Sequence, residues 1–179
     1  MAVPTTLTAA VGDKITAANW NTYERDAMSF LLSPPRCYVY LTTVPSPANG
    51  VETLISWDTE LYDTDTMHST STNASRLVAT TTGLYACSFQ VAWTGNATGV
   101  RGVHVRKNSA GNVASGTQMA RSFIPTGNIS GNSVNCVADL QMTATDYLEV
   151  FTYQSSGGAL AVVGGSALTW ASMRWVASS

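Results

Sequence analysis

Two periodicities divide the chain. Near the N-terminus Trp20, Tyr23, Ala27 and Phe30 stand three, four and three residues apart, the a/d seam of a helix that meets a partner. Thr16 is placed to cap that helix, because its hydroxyl can accept from an otherwise unpaired amide of the first turn. The helix is expected to stop at about Leu32, ahead of Ser33-Pro34-Pro35, since a residue that precedes proline is pushed out of helical geometry. From residue 36 the period falls to two. Over Gly83–Trp93, Tyr85, Cys87, Phe89, Val91 and Trp93 share one face, while Ala86, Ser88, Gln90 and Ala92 share the other. Over Val100–Arg106, Val103 and Val105 oppose His104 and Arg106. Further strands are predicted over 36–41, 51–57, 118–124, 134–142, 147–154, 160–163 and 168–176. Turn-rich breaks such as Pro45-Ser46-Pro47-Ala48-Asn49-Gly50, Ser155-Ser156-Gly157-Gly158 and Gly164-Gly165 separate several of them. Roughly eight to ten short strands, with no alternation of strand and helix, predict a mainly β chain built as an antiparallel sandwich or barrel with one N-terminal helix.

The length of 179 residues fits one domain with an appendage. Residues 1–35 read as an N-terminal arm and anchoring helix, and 36–179 as the head domain. A helix of about 16 residues is marginal alone in water and must dock. Its seam is expected to meet the particle or the copies of a trimer; the competing outcome is that it packs on the chain's own sheet.

Composition narrows the class. Charged residues make up 11% of the chain, against an average of about 25%. Such a surface repels its own copies weakly and suits a protein that works inside an assembly. The net charge of −2 and the lack of a basic stripe argue against a nucleic-acid partner, which requires cations to displace phosphate counterions. No apolar stretch reaches the about 20 residues of a membrane span, and the N-terminus does not read as a signal peptide. Cys37, Cys87 and Cys136 each lie in an apolar run, without CxxC spacing, and are expected to be small buried hydrophobes. The Asn-x-Ser/Thr triplets at Asn73, Asn96 and Asn128 read as chance matches. Synthesis in a reducing cytoplasm fits this pattern.

The candidate chemistry is sparse. The two histidines, His68 and His104, stand in settings that do not suggest a nucleophilic triad. Zinc spacings, a nucleophile elbow and a phosphate-binding loop are missing from the sequence, and no cofactor is expected. The one acidic concentration is Asp58, Glu60, Asp63 and Asp65, a possible loop binding site. Its spacing lacks the central glycine and terminal glutamate of a calcium loop, so a solvated loop is the expected reading. Paired carboxylates for glycoside hydrolysis find no support beyond their presence.

Two resemblances extend this reading. Tyr62-Asp63-Thr64, Ser75-Arg76-Leu77 and Thr82-Gly83-Leu84-Tyr85, then Ala138-Asp139-Leu140 to Val150 and the closing Ser172-Met173-Arg174-Trp175-Val176, resemble the complement globular-head and tumour-necrosis-factor-like jelly rolls. Ala144-Thr145-Asp146-Tyr147 departs from that pattern where the family usually has Gly-Asp. The resemblance covers about residues 50–176 and implies a trimeric, non-enzymatic jelly-roll head that binds partners through loops and grooves. Val11-Gly12-Asp13-Lys14-Ile15-Thr16-Ala17-Ala18-Asn19-Trp20-Asn21 and Arg25-Asp26 are similar to the opening of small virion proteins of actinobacterial tailed phages. This implies a homotrimer on the virion surface, acting as capsid decoration or cement, or as a minor tail or fibre head. Its partners would be its own copies and phage capsid or tail proteins. The alternative is an adhesin whose head recognises a host-surface glycan or protein.

Overall fold

The computed structural model describes residues 3–5, 7, 8, 10–126 and 131–178. The helix begins and ends where the sequence placed it. Its first turn, α1 (Ala17–Asn19), is capped by Thr16, whose Oγ1 accepts from the Asn19 amide at 3.1 Å. Its last turns, α2 (Asp26–Leu32), end at Ser33, whose φ of −140° and ψ of 68° lead into the two prolines. Between them Trp20–Arg25 winds as a π-helix, with the Asp26 amide bonded to the Asn21 carbonyl five residues back. Wider winding rotates the residues before it relative to those after it, so the a/d spacing does not make one straight seam. Phe30 is buried, Tyr23 and Ala27 are half-buried, and Trp20 remains 54% exposed.

The rest is a two-layer antiparallel sandwich. One sheet has the order β3-β1-β10-β5-β8 and contains β1 (Arg36–Tyr40), β3 (Thr59–Asp63), β5 (Gly83–Trp93), β8 (Asn132–Met142) and β10 (Trp170–Ala177). The other has the order β2-β9-β6-β7, with β4 also on β9; it contains β2 (Thr53–Leu54), β4 (Arg76–Val78), β6 (Val100–Lys107), β7 (Thr117–Pro125) and β9 (Tyr147–Gln154). The inner faces meet in one core. Val39, Tyr85, Phe89 and Met173 come from the first sheet, Val103, Val105, Leu148 and Val150 from the second, and Trp57 and Met67 from connecting segments. Alternating apolar positions place every second side chain of β5 in this layer, which is why β5 coincides with its predicted span, whereas β9 is buried along nearly its whole length.

Four expectations are corrected. The acidic stretch is not a solvated loop, because Thr59–Asp63 pairs with β1 as an edge strand. It carries little apolar periodicity because neither of its faces is deeply covered. The 51–57 segment contributes only two ladder residues, although Ile55 and Trp57 are buried. The 160–163 segment forms a single bridge, Val162 to Trp93, rather than a strand. Arg76–Val78, not predicted as a strand, pairs with β9.

The residues that carry the jelly-roll resemblance have structural reasons. Tyr85 is buried, and its hydroxyl donates to the Thr81 carbonyl at 2.6 Å and accepts from the Thr81 amide, closing the turn before β5. A Cβ on Gly83 would lie 2.3 Å from Trp175 Nε1, so only glycine lets the last strand pass there. All three cysteines are buried and free, as expected. Burial, aided by the Asp139 charge, pushes the Cys87 thiol up to about 12, which makes it a poor nucleophile.

Candidate functional site

The outward face of the β3-β1-β10-β5-β8 sheet is assembled row by row by the strand register. Tyr62, Tyr38, Ser172, Ser88 and Val137 stand side by side across all five strands. The next row is Tyr40, Trp170, Gln90 and Asn135. Tyr38 stacks on Trp170 at 5.2 Å and 18° and lies 5.9 Å from Tyr62, while its hydroxyl donates to the Ser166 carbonyl at 2.6 Å. The aromatic side chains at one edge thus stand fixed, small residues form the middle, and Val137 at the far side is 73% exposed. Charge enters mainly through the row Arg36, Arg174, Ala86 and Asp139. Fixed aromatics with few charges are the composition of an interface centre.

The helix seam is divided. Phe30 meets Trp175 edge-on at 4.7 Å, and Ala27, Phe30, Leu31 and Trp175 with Val3 and Pro4 of the arm line a small apolar recess of about 150 Å3. Trp20 and Tyr23 lie outside that recess, so the structure brings together only half of the four seam residues.

The four acids do not converge on one point. Asp58 accepts from the amides of Thr42 and Thr43 at 2.7 and 2.8 Å and from the Thr59 hydroxyl. Burial alone would raise its carboxyl, but those donors outweigh it and hold it at about 2. Glu60 lies 2.8 Å from Nδ1 of His68. Asp63 accepts from the amides of Asp65 and His68, and Asp65 accepts from the Thr80 hydroxyl. Among the described residues no group of three His, Cys, Asp or Glu side chains could hold a metal ion.

Neither histidine is set up as a base. The His68 side chain is buried, with Nε2 3.0 Å from the Ala74 carbonyl. His104 is buried beneath Phe123, with Nδ1 2.7 Å from Glu52 Oε1 but off the hydrogen-bond direction, so proximity rather than a directed bond joins them. Burial lowers its affinity for a proton, Glu52 opposes that, and Arg121 and Arg106 add to it.

Sequence reasoning missed Glu149 and Arg76. Glu149 is buried and accepts from Ser75 Oγ at 2.9 Å, from the Gly111 amide at 2.8 Å and from the Ser109 hydroxyl. Its fourth contact is Arg76 Nε at 3.4 Å, and that guanidinium lies 4.2 Å above the Tyr147 ring. The only sequence signal was a lone carboxylate between Leu148 and Val150 in an apolar strand. One carboxylate therefore joins β4, β9 and the β6–β7 loop.

No family model matches the sequence, and no curated protein matches it. Solved structures do. The chain is similar to murine APRIL at pH 5.0, with 12% identity, a TM-score of 0.59, and coverage of 79% of this chain and 98% of that one. It is also similar to the globular domain of zebrafish complement 1qA (11% identity, TM-score 0.57, 81% and 99%) and to Eiger TNF from S. frugiperda (12%, 0.58, 81% and 94%). At such identities the likeness is one of fold: the chain is a jelly roll of the tumour-necrosis-factor and complement globular-head type.

Proposed function

We propose that the chain is a non-enzymatic structural protein that works as a homotrimer on the surface of a tailed-phage virion. Its head stands outward, as capsid decoration or cement or as a minor tail or fibre head. The observation that carries self-association is the low-charge outward sheet face, with Tyr38, Tyr62 and Trp170 fixed at one side and Val137 exposed at the other. The fold neighbours support a binding or scaffold role rather than catalysis. The virion assignment is supported by the resemblance over residues 11–35 and by the 11% charge. Light scattering at micromolar concentration is expected to return three copies, and a stable monomer would overturn the trimer. Labelled antibody on purified virions is expected to mark the particle surface, and particles without label would overturn the location.

A second reading is an adhesin whose head binds a host-surface glycan. It is favoured by a recess of mixed polar and apolar lining beside Arg76.

A further inference from the structure

We infer that the recess between the β3–β4 loop, strand β4 and the β8–β9 turn is a binding site for a neutral sugar residue, an inference that rests on the second reading above. The recess holds about 320 Å3, at the small end of the range of about 300–1,000 Å3 for ligand sites. That suits one sugar ring rather than an extended oligosaccharide.

Its walls are built before any ligand arrives. His68 is clamped between Glu60 and the Ala74 carbonyl, and Asp63 holds the amides of Asp65 and His68. The Val78 amide bonds the Met67 carbonyl at 2.7 Å, and the Arg76 amide bonds that of Asn73 at 2.9 Å. The acids singled out in the sequence are therefore the frame of this recess rather than its ligands.

Arg76 is the centre of the site. Glu149 fixes its Nε and the Tyr147 ring fixes its plane. Both Nη groups are left without a hydrogen-bond partner among the described residues, as are the hydroxyls of Thr72 and Thr145 and the amide of Asn73. A forked donor lining the same recess as hydroxyls and a carboxamide matches the mixed donors and acceptors of neighbouring sugar hydroxyls. Charge decides between neutral and acidic ligands. The Arg76 cation is already matched by Glu149, and Glu60, Asp63 and Asp65 stand behind the wall. No positive excess remains to draw a carboxylate or a phosphate.

Backbone strain points to the same place. Thr66, Asn73 and Thr145 all border the recess with φ of 52°, 51° and 80°. Among the described residues only five non-glycine residues have positive φ, the others being Asn108 and Ala110. Such conformations cost free energy and collect where a binding surface is held in shape.

The test uses the full chain against immobilised oligosaccharides ending in glucose, galactose, mannose or N-acetylglucosamine, and others ending in sialic or glucuronic acid. Purified actinobacterial cell walls serve as a separate arm. Neutral termini are expected to bind. Arg76→Lys should weaken binding about tenfold, because the ammonium keeps the charge but loses the fork. Thr72→Val, which removes an exposed hydroxyl with no internal partner among the described residues and leaves the Thr72 amide on Ser69 Oγ, should weaken it several-fold with an unchanged circular-dichroism spectrum. Binding of acidic termini alone, or wild-type affinity in both variants, overturns the site while leaving the adhesin reading intact. Failure to bind any oligosaccharide overturns the site, and failure on cell walls as well overturns that reading with it.

Discussion

The ring of Phe30 stands edge-on against the indole of Trp175, with centroids 4.7 Å apart and planes at 84°. This contact joins the N-terminal helix to the last strand of the head, across 145 positions of chain. It makes the two ends of the helix different in kind: α2 is docked, whereas Trp20 faces solvent. Phe30→Ala removes a buried ring and should cost about 3 kcal/mol. Trp20→Ala should change stability by less than about 0.5 kcal/mol. Urea titrations of the two variants measure both. Equal losses would show that the whole helix is part of the head's core.

The half-buried Ala27 lines the recess beside that contact. Ala27→Asp would place a carboxylate among Val3, Pro4, Phe30 and Trp175, where no partner waits for it. The helix should detach and the variant should fail to enter particles. The β circular-dichroism signal of the head should persist, with a lower melting temperature because Phe30 leaves its contact with Trp175. Normal incorporation would show that this face of the helix plays no part in anchoring.

Val137 offers a test of self-association that spares the fold. It is exposed and sits opposite Ser88 at the outward face of β8. Val137→Asp leaves the core untouched but puts a charge on the β8 side of the face proposed to meet other copies. Sedimentation should fall from three copies to a single 18.9 kDa chain, with the melting curve of the isolated protomer retained. A variant that sediments as the wild type does would place the contact elsewhere.

Asp58 sets an acid limit. Its carboxyl titrates at about 2 when folded, against an ordinary value of 3.8. A depressed folded value means that the stabilisation is present above the unfolded value and is lost as pH falls towards the folded one. Glu149 is also lowered: burial works against it, but the Ser109 hydroxyl, the Gly111 amide, Ser75 and Arg76 win, so it acts with the same sign. Wild-type stability should therefore drop between about pH 4 and about pH 2. Asp58→Asn should be less stable by about 1 kcal/mol at pH 7, solvent screening of this partly exposed carboxyl having reduced the full effect, and the difference should shrink as pH falls towards 2. Thermal melts across that window read the difference.

Thr145 stands where the jelly-roll heads that this sequence resembles usually carry glycine, and its φ is 80°. A β-branched residue there is strained, so Thr145→Gly should raise stability by about 0.5–1 kcal/mol despite the added freedom of the unfolded chain. The urea midpoint should rise with its slope unchanged. A fall would mean that the threonine side chain contributes more than its backbone costs.

The sequence by itself determined the class of fold and most of its strands. Alternation over Gly83–Trp93 can satisfy only a sheet with one covered face, and Thr16 and Ser33-Pro34-Pro35 bound the helix through purely local bonds. Tyr85 has a local cause, the turn its hydroxyl closes at Thr81, whereas the cause of Gly83 is the distant last strand that passes against it. Tertiary structure decided what periodicity cannot encode. β3 is an edge strand held by backbone bonds to β1, so its acids look like a loop. Arg101 occupies the inner face of β6 beside Val103 because its guanidinium reaches the carbonyls of Asn96, Thr98 and Val100, bonds set by the path of the loop before it. Glu149 and Arg76 meet across 73 positions, and Thr145 joins them only when the β8–β9 turn folds over β4. Such a recess is made by contacts distant in sequence, and a pattern with a period of two residues carries no record of them.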